Sequence, residues 1–226
     1  MLRAEALRHA YGPVWALDGI TFSLQAGRTL VIFGPNGAGK TTLLKTLAGL
    51  IRPASGSVQI DGGRRAIGWI GHQTHLYNHL TVRENLLFWA SLYDVPAAER
   101  ERRADRLMAQ LGLADRADQP VQALSRGLAQ RATIARALVH EPTVLLLDEP
   151  FTGLDLAAAG DFRRLLVEYA AAGRSVAIAT HNVEEGAELA SEIAFQVRGK
   201  FVEHAPRARR GAAEIAEAYR KAVGHV

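Results

Sequence analysis

Apolar and polar positions along this chain alternate between two periods. Short unbroken apolar runs, Thr29-Leu30-Val31-Ile32-Phe33 and Thr143-Val144-Leu145-Leu146-Leu147, read as strands buried on both faces. Alternation in Ile20-Thr21-Phe22-Ser23-Leu24 predicts a half-buried strand within an N-terminal set of short strands over 1–32. Helical spacing follows Thr42-Leu43-Leu44-Lys45-Thr46-Leu47-Ala48. It returns at Val82, Asn85-Leu86 and Trp89, with Thr81 and Glu84 spaced as a capping box. Further strands are expected at Ser57-Val58-Gln59-Ile60, from Ile67 to Gln73, and at Arg174-Ser175-Val176-Ala177-Ile178-Ala179-Thr180. A hairpin over 193–202 turns at Arg198-Gly199-Lys200, and a last amphipathic helix places Ala212, Ile215, Ala216 and Tyr219 on one side, docked on its own domain.

Strands alternating with helices predict an α/β fold with a mixed, mostly parallel sheet, an antiparallel β lobe and an inserted helical lobe. We expect one domain over 1–226. Segments 1–90 and 143–202 form the α/β core, 91–142 the helical lobe, and 203–226 a basic helical tail. Within the lobe, Glu99-Arg100-Glu101-Arg102-Arg103-Ala104-Asp105-Arg106 mixes charge signs as a solvated helix face does, and Gly112 ends that helix.

Candidate chemistry begins where the first buried strand ends. Gly34-Pro35-Asn36-Gly37-Ala38-Gly39-Lys40-Thr41-Thr42 lies between a strand and a helix, as a phosphate-binding loop does. Glycines let the backbone approach an anion, and successive N–H groups converge on its oxygens at a helix N-terminus. Lys40 adds charge directed at β- and γ-phosphates, and the Thr41 hydroxyl is placed to ligate a bridging Mg²⁺. The strand ending Asp148-Glu149 supplies a metal-holding acid and a second acid able to polarise a water. His181 and Gln73 stand at the ends of other expected strands, on the ligand side of an open sheet. Ser125 opens a helix whose first turn, with Gly127, is a second anion site, while Asp155 reads as the cap of a helix from Leu156 to Ala172. Tyr11, beside Gly12-Pro13, either stacks on a base or packs locally, and spacing alone favours packing. His72, His75 and His79 fit no helix face well and lie near no second ligand cluster, so a metal site there is not expected.

Composition narrows the context. A net charge of +4 and a pI near 9.7 suit anionic ligands but are too small to argue for nucleic acid. There is no cysteine, which removes disulfides and thiolate-held metals. Apolar runs fall far short of the roughly 20 residues of a spanning helix, and the N-terminus lacks the pattern of a secretory signal, so a cytoplasmic location is expected.

Taken together, the loop 34–42, His72-Gln73, Leu124-Ser125-Arg126-Gly127-Leu128-Ala129-Gln130-Arg131, Asp148-Glu149, Gly153-Leu154-Asp155 and His181 make the chain resemble an ATP-binding cassette ATPase from Tyr11 to about Val202. That resemblance implies ATP and Mg²⁺ as ligands, with Tyr11 on adenine, Lys40, Thr41 and Thr42 on phosphates and metal, and Gln73 touching Mg²⁺. It makes Glu149 the general base and His181 a γ-phosphate contact. It further implies a head-to-tail homodimer sandwiching two ATP molecules, with Ser125 and Gly127 completing the opposite site. Transmembrane permease subunits would be the partners, and the chain would sit peripherally on the inner face of the membrane. Arg126 and Leu128 depart from the usual signature Leu-Ser-Gly-Gly-Gln. Trp69-Ile70-Gly71-His72-Gln73 and Leu80-Thr81-Val82-Arg83-Glu84-Asn85-Leu86-Leu87-Phe88-Trp89 are similar to the haem-exporter ATPases of cytochrome c maturation, and the ATPases of drug, sodium and polysaccharide exporters share several of these positions.

Overall fold

The computed structural model describes residues 1–71 and 73–224. Two long N-terminal strands, β1 (Leu2–Tyr11) and β2 (Val14–Leu24), pair antiparallel, and β4 (Ser55–Ile60) joins the other edge of β1. The expected short strands are thus one long hairpin. Its alternation is broken by register shifts after Ala4, Leu7 and His9, with Ala6 at a φ of 47°, which hid the length of the strands.

The second sheet has six strands in the order β5 (Ile67–Ile70), β6 (Val144–Asp148), β7 (Ser175–Thr180), β3 (Thr29–Phe33), β8 (Glu192–Val197) and β9 (Lys200–Pro206). The first five are parallel and β9 is antiparallel. Residues of β3 split between the two faces. Leu30 and Ile32 pack with Leu43 and Leu44 of α1 (Lys40–Leu47) and with the inner face of the antiparallel sheet. Val31 and Phe33 face the helices α2 (Val82–Leu92), α3 (Ala97–Gln110), α4 (Arg126–Leu138), α5 (Leu156–Ala171) and α7 (Ala212–Gly224), with short α6 (Val183–Ala187) between the last two. Burial of such side chains, at about 1.5–3 kcal/mol each, supplies the main favourable term for both cores.

Several predicted boundaries are confirmed by their caps. Thr81 and Glu84 form the expected reciprocal capping box, and Ser125 and Asp155 accept hydrogen bonds from the N–H groups of Leu128 and Ala158. Others move. The strand expected to run from Ile67 to Gln73 stops at Ile70, leaving Gln73 in the following loop, while His72 lies outside the described residues. The hairpin expected over 193–202 extends to Pro206 because β9 keeps pairing with β8 as far as Glu192. The tail helix docks on the core: Ile215 is fully buried and the Tyr219 ring lies 6.5 Å from that of Phe33.

Parallel pairing has one decisive consequence. Strands β3, β6 and β7 all end on the same edge, so the loop after Phe33, the acids after Leu147 and His181 after Thr180 meet there.

Candidate active site

The loop between β3 and α1 is held closely by its surroundings. A Cβ on Gly34 would lie 2.4 Å from the Gln196 carbonyl oxygen, and one on Gly39 only 2.0 Å from the carbonyl oxygen of Ala16. Gly39 also takes a φ of 101°, so any side chain there would be both strained and obstructed. Lys40, the first residue of α1, turns back across the loop and donates from Nζ to the carbonyl oxygens of Gly34 at 2.6 Å and Pro35 at 3.2 Å. Burial lowers its pKa from the ordinary lysine value, while Glu149 and Asp148 pull it back up.

The next side chain links loop to sheet. The Thr41 hydroxyl donates to Asp148 Oδ2 at 2.8 Å, and Asp148 is buried at the end of β6. Glu149 follows in the left-handed region, with a φ of 49°, at a turn where such strain commonly marks a functional position. Its Oε2 accepts from the Thr180 hydroxyl at 3.0 Å. Its Oε1 accepts from the His181 backbone N–H at 3.0 Å and stands 2.8 Å from the ring Nδ1. Thr180 escaped the sequence reading because its role depends on β6 and β7 being neighbours. Its position immediately before His181 was the available signal.

These groups line a cavity of about 430 Å³ that includes Tyr11, Asn36, Gly37, Ala38, Gly39, Lys40, Thr41, Thr42, Asp148, Glu149 and His181. That volume lies in the range of small-molecule sites. Tyr11 is not in a loop, as expected, but ends β1, where it pairs with Val14 across the turn. It is 56% exposed, so packing does not occupy its ring, whose neighbour is the edge of His9 at 4.9 Å.

An adjoining cavity of about 410 Å³ is lined by Thr41, Gln73 and Asp148 together with Trp69 and His75. It presents a hydroxyl, an amide and a carboxylate, the hard oxygen donors a magnesium ion takes while keeping waters and substrate phosphates as its other ligands. Among the described residues no three His, Cys, Asp or Glu side chains form a metal cage. A metal here would therefore be shared with a phosphate ligand, which these donors fit.

Three of the expected site residues stand elsewhere in the chain. Ser125, Gly127 and Asp155 do not line either cavity. They share a different surface, where Gly127 approaches the Gly153 carbonyl, Asp155 pairs with Arg131 at 3.8 Å, and Gln130 donates to the Pro150 carbonyl at 3.2 Å. Ser125 is exposed at the start of α4, so this helix N-terminus opens to solvent. Gln130, which ties α4 to the turn after Glu149, was read only as part of a helix.

Residues 17–152 match the family model described as ABC transporter. The chain is 36% identical over 211 residues to a Nod factor export ATP-binding protein I of Ralstonia nicotianae, an alignment covering 89% of this chain and 66% of that protein. It is 38% identical over 217 residues to a cobalt import ATP-binding protein of Rhodobacter capsulatus, covering 89% of this chain and 77% of the relative. Among solved structures, an ATP-binding subunit of an ABC transporter superposes with a TM-score of 0.90 at 28% identity, covering 99% of both chains. The cassette MJ0796, solved as a dimer in a post-hydrolysis state with ADP and Pi, gives 0.83 at 26% identity over 93% of this chain and all of the other. On its family match, its relatives and its fold, this chain belongs to the ABC transporter family as an ATP-hydrolysing ATPase subunit.

Proposed function

We propose that this chain is the motor of a transporter whose membrane-spanning part is a separate permease. No helix among the described residues is long and apolar enough to cross a membrane. In the reading carried over from the family, the chain works at the inner membrane face through the permease. The observation that carries the reading is the split site. Lys40, Thr41, Asp148, Glu149 and His181 line one cavity, while Ser125 and Gly127 open away from it. A second chain placed head to tail brings its helix N-terminus to the γ-phosphate, and ATP then holds the dimer until hydrolysis removes that ligand.

The roles are those the family resemblance implies, and the geometry supports them. Tyr11 stacks on adenine. The loop 34–39, Lys40 and Thr42 hold the phosphates, and Thr41, Gln73 and Asp148 hold Mg²⁺. Glu149, with both oxygens oriented by Thr180 and His181, takes the proton of the attacking water. His181 is 63% exposed on its side chain, so its ring reaches the cavity mouth where a γ-phosphate would lie. Exposed Leu50 lines a cavity with Gln73 and another with exposed Leu92, and exposed Tyr77 and Phe88 pack edge to face; these apolar side chains are offered to the permease.

For cargo, the stretches 69–73 and 80–89 support haem delivery for cytochrome c maturation, whereas the relatives bear names of Nod factor export and cobalt import. The permease decides among these. Purification of the tagged Glu149→Gln variant from membranes of its own source, with Mg-ATP present, is expected to recover a multi-spanning permease. Components of haem delivery would support the haem reading and another permease would replace it. Ribosomes or DNA without a membrane protein would overturn the motor assignment.

A further inference from the structure

Beneath the phosphate loop lies a polar side chain that none of the roles above uses. Gln196 is fully buried near the end of β8, and neither Oε1 nor Nε2 has a hydrogen-bond partner among the described residues. Phe195, its neighbour, packs with Phe33 and Tyr219 on the helical face. Ala194 faces α1 on the other side, and Gln196, two residues on, shares that face. The loop rests directly on this residue: a Cβ on Gly34 would lie 2.4 Å from the Gln196 carbonyl oxygen, and one on Gly39 would lie 2.9 Å from its Nε2. The hairpin turn that follows grips the same loop. Gly199 donates its N–H to the Ala38 carbonyl at 3.0 Å and accepts from Asp18 of β2 at 2.8 Å.

Leaving both atoms of a buried amide without partners is costly, whereas an unbranched apolar side chain of similar volume would fill the space without that cost. A buried amide at this place is suited to a loop arrangement that brings a peptide group within its reach. A Cβ on Gly39 would crowd both this amide and the Ala16 carbonyl, and Gly39 and Ala16 both line the nucleotide cavity. We propose that Gln196 is a positioning residue for the phosphate loop, its amide hydrogen-bonded to the loop backbone when the loop holds phosphates. The proposal rests on the assignment of 34–42 as the phosphate site.

The test is Gln196→Met, measured with Mg-ADP so that hydrolysis plays no part. The empty variant should unfold a few degrees higher than the unaltered protein, because a starved amide has been removed. Its dissociation constant for Mg-ADP should rise roughly tenfold, because the loaded loop has lost a bond. A purely structural residue would move stability and affinity in the same direction. An unchanged dissociation constant, or an empty variant that unfolds at a lower temperature, overturns the proposal. Should the variant not fold, hydrogen exchange on the unaltered protein decides the matter: Mg-ADP should slow exchange in 194–199 as well as in 34–40, and slowing confined to 34–40 overturns it. Lys40→Ala serves as the control. If that variant still binds Mg-ADP normally, the phosphate-site assignment fails, an outcome distinct from failure of Gln196 alone.

Discussion

Glu149 and His181 meet twice: Oε1 of the carboxylate accepts the histidine backbone N–H at 3.0 Å and faces its ring Nδ1 at 2.8 Å. One contact fixes the acid relative to the end of β7, and the other fixes the ring relative to the acid. Substituting Glu149→Gln keeps an oxygen for the backbone N–H but removes the base. Hydrolysis should fall by roughly 10²–10⁴-fold while ATP binding survives. Gel filtration with Mg-ATP should then show a dimer, and a variant that stays monomeric under those conditions would count against the sandwiched arrangement.

The loop glycines should differ sharply in tolerance. At Gly37 the φ is 81° and a Cβ would meet nothing within 4 Å, so Gly37→Ala carries only backbone strain, about 1–2 kcal/mol. At Gly39 the φ is 101° and the Cβ would press on the Ala16 carbonyl, so Gly39→Ala should cost more than about 3 kcal/mol and abolish nucleotide binding. Thermal unfolding with and without Mg-ADP separates the two. Equal losses would mean that the close approach to Ala16 is not maintained.

Acid should weaken the fold through a histidine far from the loop. His140 stacks on Tyr93 with ring centres 3.7 Å apart, and its Nε2 lies 3.0 Å from the Ile67 carbonyl. Burial pushes its pKa down to about 4; Arg136 and Arg103 act the same way, against the Ile67 carbonyl. The depressed value means that the unfolded chain binds a proton that the folded chain refuses. Stability is full above about pH 6.5 and declines as the pH falls towards 4, by on the order of 3 kcal/mol from this residue. His75, also lowered by burial and by Arg136, adds to the same trend. His140→Phe should flatten the dependence of the unfolding temperature on pH between 7 and 4.5, and an unaltered slope would remove His140 as its source.

Tyr11 offers a ring without a fixed packing partner on one face of the cavity. Tyr11→Ala should weaken Mg-ADP binding by roughly 3- to 10-fold, the value of an aromatic stack, and Tyr11→Phe should restore it. Binding of inorganic tripolyphosphate, which has no base, should not change. A loss shared by tripolyphosphate would mean that Tyr11 supports the loop and not the base.

The sequence revealed most where chemistry and chain order coincide. The stretch 34–42 carries strand, turn, lysine and helix start in one run, and Asp148-Glu149 closes an apolar strand. Caps were legible for the same reason, since Ser125, Asp155 and Thr81 act on N–H groups three residues away. What escaped depends on distant pairing. Thr180 matters because β7 lies beside β6, and Gln196 because β8 runs under the loop. The extent of β1 and β2 was obscured by shifts of register that break the two-residue period. The place of Ser125 and Gly127 came from family likeness, since within one chain they stand apart from the phosphates' cavity.

The position of β3 bears on how the protein is made. The strand that carries the phosphate loop is made early in the chain, yet its two neighbours in the sheet are β7 and β8, which end at Thr180 and Val197. On the ribosome, Gly34 to Lys40 emerge long before either neighbour exists, and Tyr219, which packs on Phe33, comes later still. A nascent chain therefore holds every residue of the nucleotide loop without the walls that shape it. A nucleotide loop framed on both sides therefore exists only after the chain has been made past Val197, more than 150 residues beyond Lys40 itself.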